Sequence, residues 1–351
     1  MNLKDVAALA GVSLGSASRA LNGAGNISPD ILRRVQEAST TLGYRPNHAA
    51  RALRSRSTRT VGCMVSDIAN PLYGRLFRTL EDRLAHSGYL MLVSSTANEL
   101  DRERRTLSLF AERAMDAVII APGHERNAGL NAQVAALPMP VISLDRDLRT
   151  AAASILFEHR EGLQAVVEYL ASLGHRRLSL IAAGLRSRPG RERLRGFRQA
   201  LRLAGLPSEE DLLVLPSTSM SPVFDEVRAL LSRPDRPTGL IVQGTNILSS
   251  TLNAISHLGL RIPEDVSLVT IGCPDFARYH VPAFTTLRVD AVKLSDEIAE
   301  QLLARLADPG NSPRLRHILP LHLDQGASCA PPRRTKPANV AGLMHQRRKP
   351  A

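Results

Sequence analysis

The chain has 351 residues, 44% of them hydrophobic, with three cysteines, no tryptophan and a net charge of +12. That length allows a small module plus one or two ordinary domains. Cys63, Cys273 and Cys329 are too far apart for a disulfide framework or a metal-ligand spacing, and no apolar run approaches a membrane span.

The charge is unevenly placed. Residues 1–59 hold nine Lys/Arg against three Asp/Glu, residues 331–351 hold six Lys/Arg and no acid, and the body between is neutral. A basic head on a neutral body suits phosphate binding by the head, whereas a uniformly basic chain would point to RNA or a membrane surface. Nothing at the N-terminus reads as a signal peptide, so the expectation is a soluble, cytoplasmic protein with no membrane partner.

The run LKDVAALAGVSLGSASRALN (3–22) opens with Asn2 as a helix cap and Asp5 as the acidic half of a capping-box pair. Leu3, Val6, Ala7 and Ala10 give the first helix an apolar face, Gly11 breaks it, and Ser13 caps a second helix. Two short helices across a tight glycine turn form a helix-turn-helix, whose second helix enters the DNA major groove. Ser13, Leu14, Gly15, Ser16 and Arg19 are the candidate base-facing set. Small residues let the helix sink close to the bases, and Arg19 can reach guanine O6 and N7, a contact worth roughly 1–3 kcal/mol of discrimination. A third helix starts at the Ser28 cap with Pro29 at its first position, buries Ile31, Leu32, Val35, Ala38 and Leu42, and stops at Gly43. Residues 44–53 are too few for an isolated helix and read as a linker that becomes helical against a partner or on DNA. Leu53 there is a candidate minor-groove wedge.

Beyond residue 60 the pattern alternates. Buried strands at 61–66, 89–95, 116–122 and 140–145 are separated by amphipathic helices. The cycle restarts with a helix at 160–173 and strands at 177–183, 212–215, 238–243 and 265–271. Continuous apolar strands between amphipathic helices mean parallel sheets covered on both faces, and two such series mean two α/β lobes. Ligands in such folds bind beyond the C-terminal strand ends. The polar residues there are Asp67, Asn70, Tyr73, Asp145, Arg146, Asp147, Arg191, Arg193, Thr245, Asn246, Asp275 and Phe276. Singly each reads as a helix cap or solvated loop. Converging on one cleft, they suit a small polar ligand.

The DVA…AGVS…S.RALN run, the SPDILRRV helix, LGYRPN and the A.ALRS hinge resemble the lac-repressor (LacI/GalR) family of bacterial transcription regulators, and the similarity continues to about residue 325. The resemblance implies an N-terminal all-α helix-turn-helix head and an α/β two-lobed, periplasmic-binding-protein-like (type I) core with parallel sheets. It places the base-reading pair on Leu14 and Gly15, with Arg19 a third reader. Backbone contacts fall on Asn22 and Asn47, and the minor-groove hinge on Ala50 and Leu53. Gly15 carries no side chain, so readout there is lost and specificity leans on Leu14, Arg19 and the hinge. NPLY (70–73) matches a segment at the cleft, and Arg193 matches an effector-binding arginine. Gly244-Thr245, Pro274 and Glu158 depart from the family's Asn-Asp pair and from two of its aspartates.

The domains expected are a head (1–46), a hinge (47–59), a two-lobed core (60–325) and a basic, Pro-rich disordered tail (326–351). Within the core the first lobe takes 60–157 and 291–318, and the second takes 161–288. The expected function is a non-enzymatic, sequence-specific repressor, acting as a homodimer on a near-palindromic DNA operator. A sugar or sugar-derived effector between the lobes controls it, and no cofactor or metal is called for. A nucleobase corepressor is the alternative ligand. A solute-binding receptor is the alternative class, against which the head and the missing signal peptide speak. No Gly-rich phosphate loop or nucleophile elbow appears that would favour an enzyme.

Overall fold

The computed structural model describes residues 2–22, 27–44, 57–272, 274–308 and 313–333. The chain divides into two units, Met1–Thr58 and Arg59–Ala351.

The head contains α1 (Leu3–Leu9), α2 (Leu14–Asn22) and α3 (Pro29–Thr41). Asn2 accepts from the Lys4 and Asp5 amides while the Asp5 carboxylate accepts from Asn2 N at 2.8 Å, a closed capping box. Gly11 takes φ +62°, and the Arg34 guanidinium donates to the carbonyls of Ala10 and Gly11. A side chain at 11 would therefore meet both left-handed backbone strain and the arginine that pins the turn. Val6, Ala7, Ala10, Ala17, Ala20, Val35 and Ala38 form the core. Five of these seven are alanines, which lets three short helices approach closely.

The second unit holds two parallel sheets. The first sheet collects β1 (Thr60–Val65), β2 (Leu90–Ser95), β3 (Ala117–Ala121), β4 (Val141–Leu144), β5 (Ala153–Phe157) and β11 (Leu315–Leu319), in the spatial order β11-β5-β4-β3-β1-β2. The second collects β6 (Leu178–Ile181), β7 (Leu213–Val214), β8 (Gly239–Gln243), β9 (Ser267–Ile271), β10 (Thr285–Arg288) and β12 (His322–Asp324), in the order β12-β10-β9-β8-β6-β7. Only β12 runs antiparallel to its neighbour.

Helices cover both faces. The first sheet carries α4 (Pro71–His86), α5 (Leu100–Glu112), α6 (Ala128–Ala135) and α11 (Ala291–Ala307). The second carries α7 (His159–Ser172), α8 (Arg188–Leu203), α9 (Phe224–Leu231) and α10 (Asn246–His257). The chain passes between lobes three times: from β5 into α7, from β10 into α11, and from β11 into β12. All three crossings leave from C-terminal strand ends, the same ends that face each other across the cleft between the lobes.

Two expectations are corrected. No strand was expected between 145 and 160, yet β5 fills 153–157, with all five residues buried between β4 and β11. Its run of ASILF is too short to declare a period by itself. The disordered tail was expected from residue 326, yet Gly326–Arg333 is packed on the second lobe. Ser328 is fully buried, its hydroxyl donating to Leu268 O at 2.5 Å and accepting from Thr285 N at 2.8 Å. Ala330 N donates to Ser267 Oγ at 3.0 Å. Prolines at 331 and 332 cannot donate to a sheet ladder, so composition suggested disorder; side-chain hydrogen bonds hold the strap instead.

Candidate functional site

In the head, Ser13 Oγ accepts from Ser16 N at 3.1 Å and so starts α2. Ala17 and Ala20 turn into the core, while Ser13, Leu14, Gly15 and Arg19 are exposed and Ser16 half-exposed. The candidate base-reading set thus forms one solvent face at the N-terminal end of α2. A Cβ at Gly15 would meet nothing closer than 3.9 Å, so that face is unusually flat at its centre. The side chain of Asn22, and Asn47, Ala50 and Leu53, lie outside the described residues.

In the core, Asn70, Tyr73, Asp145 and Arg193 come together around one chamber between the lobes. Asn70 caps α4, accepting from Leu72 N at 3.1 Å. Tyr73 is buried one turn on, stacked on Phe77 at 5.6 Å. Thr245 lines an adjoining chamber that shares Asn70, Phe157, Arg193 and Gln243 with the first, and its hydroxyl donates to Ser219 O.

Five sequence-predicted residues line neither chamber: Asp67, Phe276, Asp147, which pairs with Arg316 at 3.4 Å, Arg191, and Asn246, whose amide donates to Met220 O at 3.2 Å. Asp67 is outside both linings and accepts from Ala69 N at 2.9 Å, closing the turn before α4. Phe276 is also outside both, 44% exposed and set edge-on to Phe284 at 6.4 Å. Its ring reaches Phe284 because Phe284 N donates to Ala277 O of the 3-10 turn Asp275–Arg278 at 3.0 Å. The Asp275 side chain is not among those described.

Asp145 organises the site. It follows β4 in the left-handed region, φ +50°, a conformation a non-glycine residue adopts at a cost of roughly 1–2 kcal/mol. Its carboxylate explains why the strain persists. Oδ1 accepts from Arg188 Nη1 at 3.0 Å and from Phe157 N at 3.2 Å, and Oδ2 meets His159 Nε2 at 2.9 Å. Arg188 belongs to α8 of the second lobe, so this buried ion pair spans the cleft. A second spanning pair joins Arg191 on α8 to Glu125, which follows β3, at 2.5 Å.

Burial works to raise the Asp145 pKa, but His159 first, then Arg146 and Arg188, overcome it and hold the carboxyl below its ordinary value. Burial is also the largest influence on His159, and there it lowers the imidazole pKa; Asp145 opposes it, and Arg193 and Arg188 reinforce it. The charge of the pair therefore rests on the carboxylate. The imidazole is neutral, donating Nε2–H to Oδ2, and its Nδ1 is buried without a partner. Arg193 donates to Gln243 Oε1 at 3.1 Å, and its Nε also lacks a partner. Burial brings its pKa down to about 10, with Asp145 opposing and Arg146 adding to the fall, so it stays cationic at neutral pH.

Sequence reasoning missed Arg188, His159, Glu125 and Gln243. Recognising β5 would have located His159, because Phe157 and His159 leave that strand at the cleft. Arg188 is one of several arginines in RSRPGRERLR, and nothing local distinguishes it. Among the described residues no group of three His, Cys, Asp or Glu could hold a metal ion, and no helix is long and apolar enough to cross a membrane.

This architecture and site can be set beside known proteins. The HTH-type transcriptional regulator DegA of Bacillus subtilis is 30% identical over 287 residues, covering 81% of this chain and 85% of that protein. The chain belongs to the lacI family of bacterial regulatory proteins. The model of that family matches residues 2–47, and a periplasmic binding protein-like domain matches 167–329. The HTH-type transcriptional repressor PurR of Aliivibrio salmonicida is 27% identical over 321 residues, covering 91% of this chain and 96% of its own. The structure of a transcriptional regulator CelR–cellobiose complex superposes with TM-score 0.69 at 27% identity, covering 93% of this chain and 99% of that one. As a lacI-family member, the chain is a DNA-binding transcription regulator carrying a helix-turn-helix head on a two-lobed core.

Proposed function

We propose that this lacI-family regulator is a cytoplasmic repressor, binding a near-palindromic operator as a homodimer. A sugar or sugar-derived metabolite held between its lobes sets its operator affinity, and it catalyses no reaction. The observation that carries this reading is the Asp145–Arg188 pair. It ties the two lobes across the cavity that Arg193, Asn70 and Tyr73 line, so a molecule bound there contacts both lobes beside the pair that joins them. The CelR structure, described as a cellobiose complex, supports a sugar-sized occupant of this fold.

The mechanism is linkage. If effector-bound and effector-free cores differ in closure, and closure alters the spacing of two heads, effector and operator affinities change by the same factor. A coupling of about 1–3 kcal/mol corresponds to roughly 5–150-fold. The dimer reading is supported by apolar surface. Edge strand β2 exposes Leu90, Leu92 and Val93, and the second lobe exposes Tyr279 and Val281. A monomer leaves such residues in water; a two-fold partner covers them. In the head we assign base contact to Ser13, Leu14, Gly15, Ser16 and Arg19, backbone contact to Asn22 and Asn47, and minor-groove entry to Ala50 and Leu53.

The test is footprinting of the full-length chain on a genomic fragment pool, followed by titration of the recovered site with sugars and nucleobases. Protection of one symmetric site, shifted by a sugar, is the expected result. Equal, salt-sensitive attraction to every duplex overturns the reading. Arg19→Ala should relax discrimination between operator variants by roughly 1–3 kcal/mol per contacted base.

A further inference from the structure

Among the described residues of the head, two large apolar side chains stand in solvent, Leu9 at 54% exposure and Leu14 at 45%. A single exposed leucine is ordinary on a protein surface, and Leu9, at the end of α1, is of that kind. Leu14 differs in its setting. It opens α2 on the face assigned to base edges, while Val12 and Leu21 on either side pack against the alanine core. Beside it Gly15 has no side chain, and a Cβ built there would meet only Ser13 Oγ, at 3.9 Å. The hydroxyls of Ser13 and Ser16 lie 2.9 Å apart and bond to each other. The leading end of α2 is thus an apolar knob next to bare backbone, and the long polar side chain of the helix, Arg19, comes more than a turn later.

Hydrogen bonding cannot be what Leu14 reads, since leucine has neither a side-chain donor nor an acceptor. In the major groove thymine differs from cytosine in two ways. It presents the O4 acceptor where cytosine presents an N4 donor, and it carries a methyl group at C5. Leu14 is blind to the first difference and responds to the second, because a methyl packed against it leaves water. Gly15 lets the helix backbone come close enough for that packing, with no Cβ to hold the base off. 5-Methylcytosine carries the same C5 methyl on a base with cytosine's hydrogen-bonding edge, so it offers Leu14 the same contact.

We propose that Leu14 reads the C5-methyl group of a pyrimidine, so that the operator affinity of this regulator depends on one such methyl in each half-site. The proposal rests on the reading of α2 as the base-facing helix. Thymine and 5-methylcytosine share this chemistry, and the test separates them. Thymine is a fixed feature of the operator sequence, whereas 5-methylcytosine makes operator affinity answer to cytosine methylation.

The full-length chain is titrated by fluorescence anisotropy with the operator recovered by footprinting. Each thymine is replaced in turn by uracil, which removes the methyl and keeps the hydrogen-bonding groups. Each cytosine is replaced in turn by 5-methylcytosine, which adds the methyl. Every change is made at matching positions of both half-sites. At one position at least, the methylated base should bind roughly ten- to twenty-fold more tightly, the transfer value of about one buried methyl per half-site. A responsive thymine assigns the contact to the operator sequence itself, and a responsive cytosine assigns it to the methylated base. Leu14→Ala should abolish the difference with the melting temperature unchanged. Leu14→Met, which keeps an apolar side chain, should retain part of it, and Leu9→Ala should retain all of it. The proposal is overturned if no position responds, or if the response survives Leu14→Ala. A recovered operator that ignores every methyl leaves the DNA-binding reading standing while the proposal fails. Failure to recover any specific site sinks both.

Discussion

Arg188 reaches from the start of α8 to Asp145 on the opposite lobe, Nη1 to Oδ1 at 3.0 Å, with less than a tenth of either side chain exposed. The pair is buried, spans the cleft and holds a strained backbone. Arg188→Met should destabilise the core by about 3–5 kcal/mol, the usual cost of leaving one member of a buried pair unpaired. Arg188→Met with Asp145→Asn should recover part of that loss. Urea denaturation of the single and double variants measures the coupling, and simple additivity would mean that the two side chains do not interact.

The same cluster sets an acid limit. His159 has a lowered pKa in the fold, so between that value and the unfolded-chain value of 6.5 the unfolded state binds the extra proton. Its contribution to stability is complete above pH 6.5 and is lost as pH falls through the folded value. Asp145 acts with the same sign at lower pH: its contribution is present above the ordinary carboxylate pKa of 3.8 and is lost as pH falls through its depressed folded value. Chemical denaturation from pH 8 down to 4 should therefore show declining stability below about 6.5. His159→Gln should flatten the upper part of that slope, and an unchanged slope would move the titration to another group.

Gly190 lies where α8 passes the end of β6. A Cβ there would collide with the Gly184 carbonyl and come within 2.6 Å of Ala183 O, both backbone atoms that cannot turn aside. Gly190→Ala should shift the first turn of α8, costing about 1–3 kcal/mol. Because Arg188 and Arg191 ride on that turn and Arg193 on the next, effector binding should weaken as well. A variant with wild-type stability and ligand affinity would contradict the packing described.

The strap over the second lobe makes a separate prediction. Ser328→Ala leaves Thr285 N without its acceptor in a buried setting, which should cost about 1–3 kcal/mol. Ending the chain before Gly326 should cost more, since it also removes the Ala330 contacts to Ser267 and His175. A chain ending after Arg333, which keeps all of these contacts, is the control in thermal melts.

Much of this protein was legible in its residues because the signals are local. A cap three positions before its partner, a glycine after an apolar face and strands of continuous Val, Ile and Leu all act within one element. They gave the head, strands β1–β4 and β6–β9 of the two sheets, and the polar residues at the strand ends. β5 was lost because five residues between a turn and a helix carry too little pattern. The strap at 326–333 was lost because its order comes from Ser328, a side chain bonding to strands 43 and 60 positions away. Phe276 and Asp67 were placed at the right strand ends but not in the cleft, since sequence gives the end of a strand and not the direction of a side chain.

What the sequence determined by itself is the class of machine: a charged helical reader joined to a neutral two-lobed α/β body, because helix periodicity, capping and charge balance are properties of neighbouring residues. What only the tertiary structure decided is which charges face which. Asp145 finds Arg188, 43 positions on, and Arg193 is left beside Gln243 with no carboxylate of its own. Electrostatic attraction and desolvation act through space across the cleft, and no spacing along the chain records them.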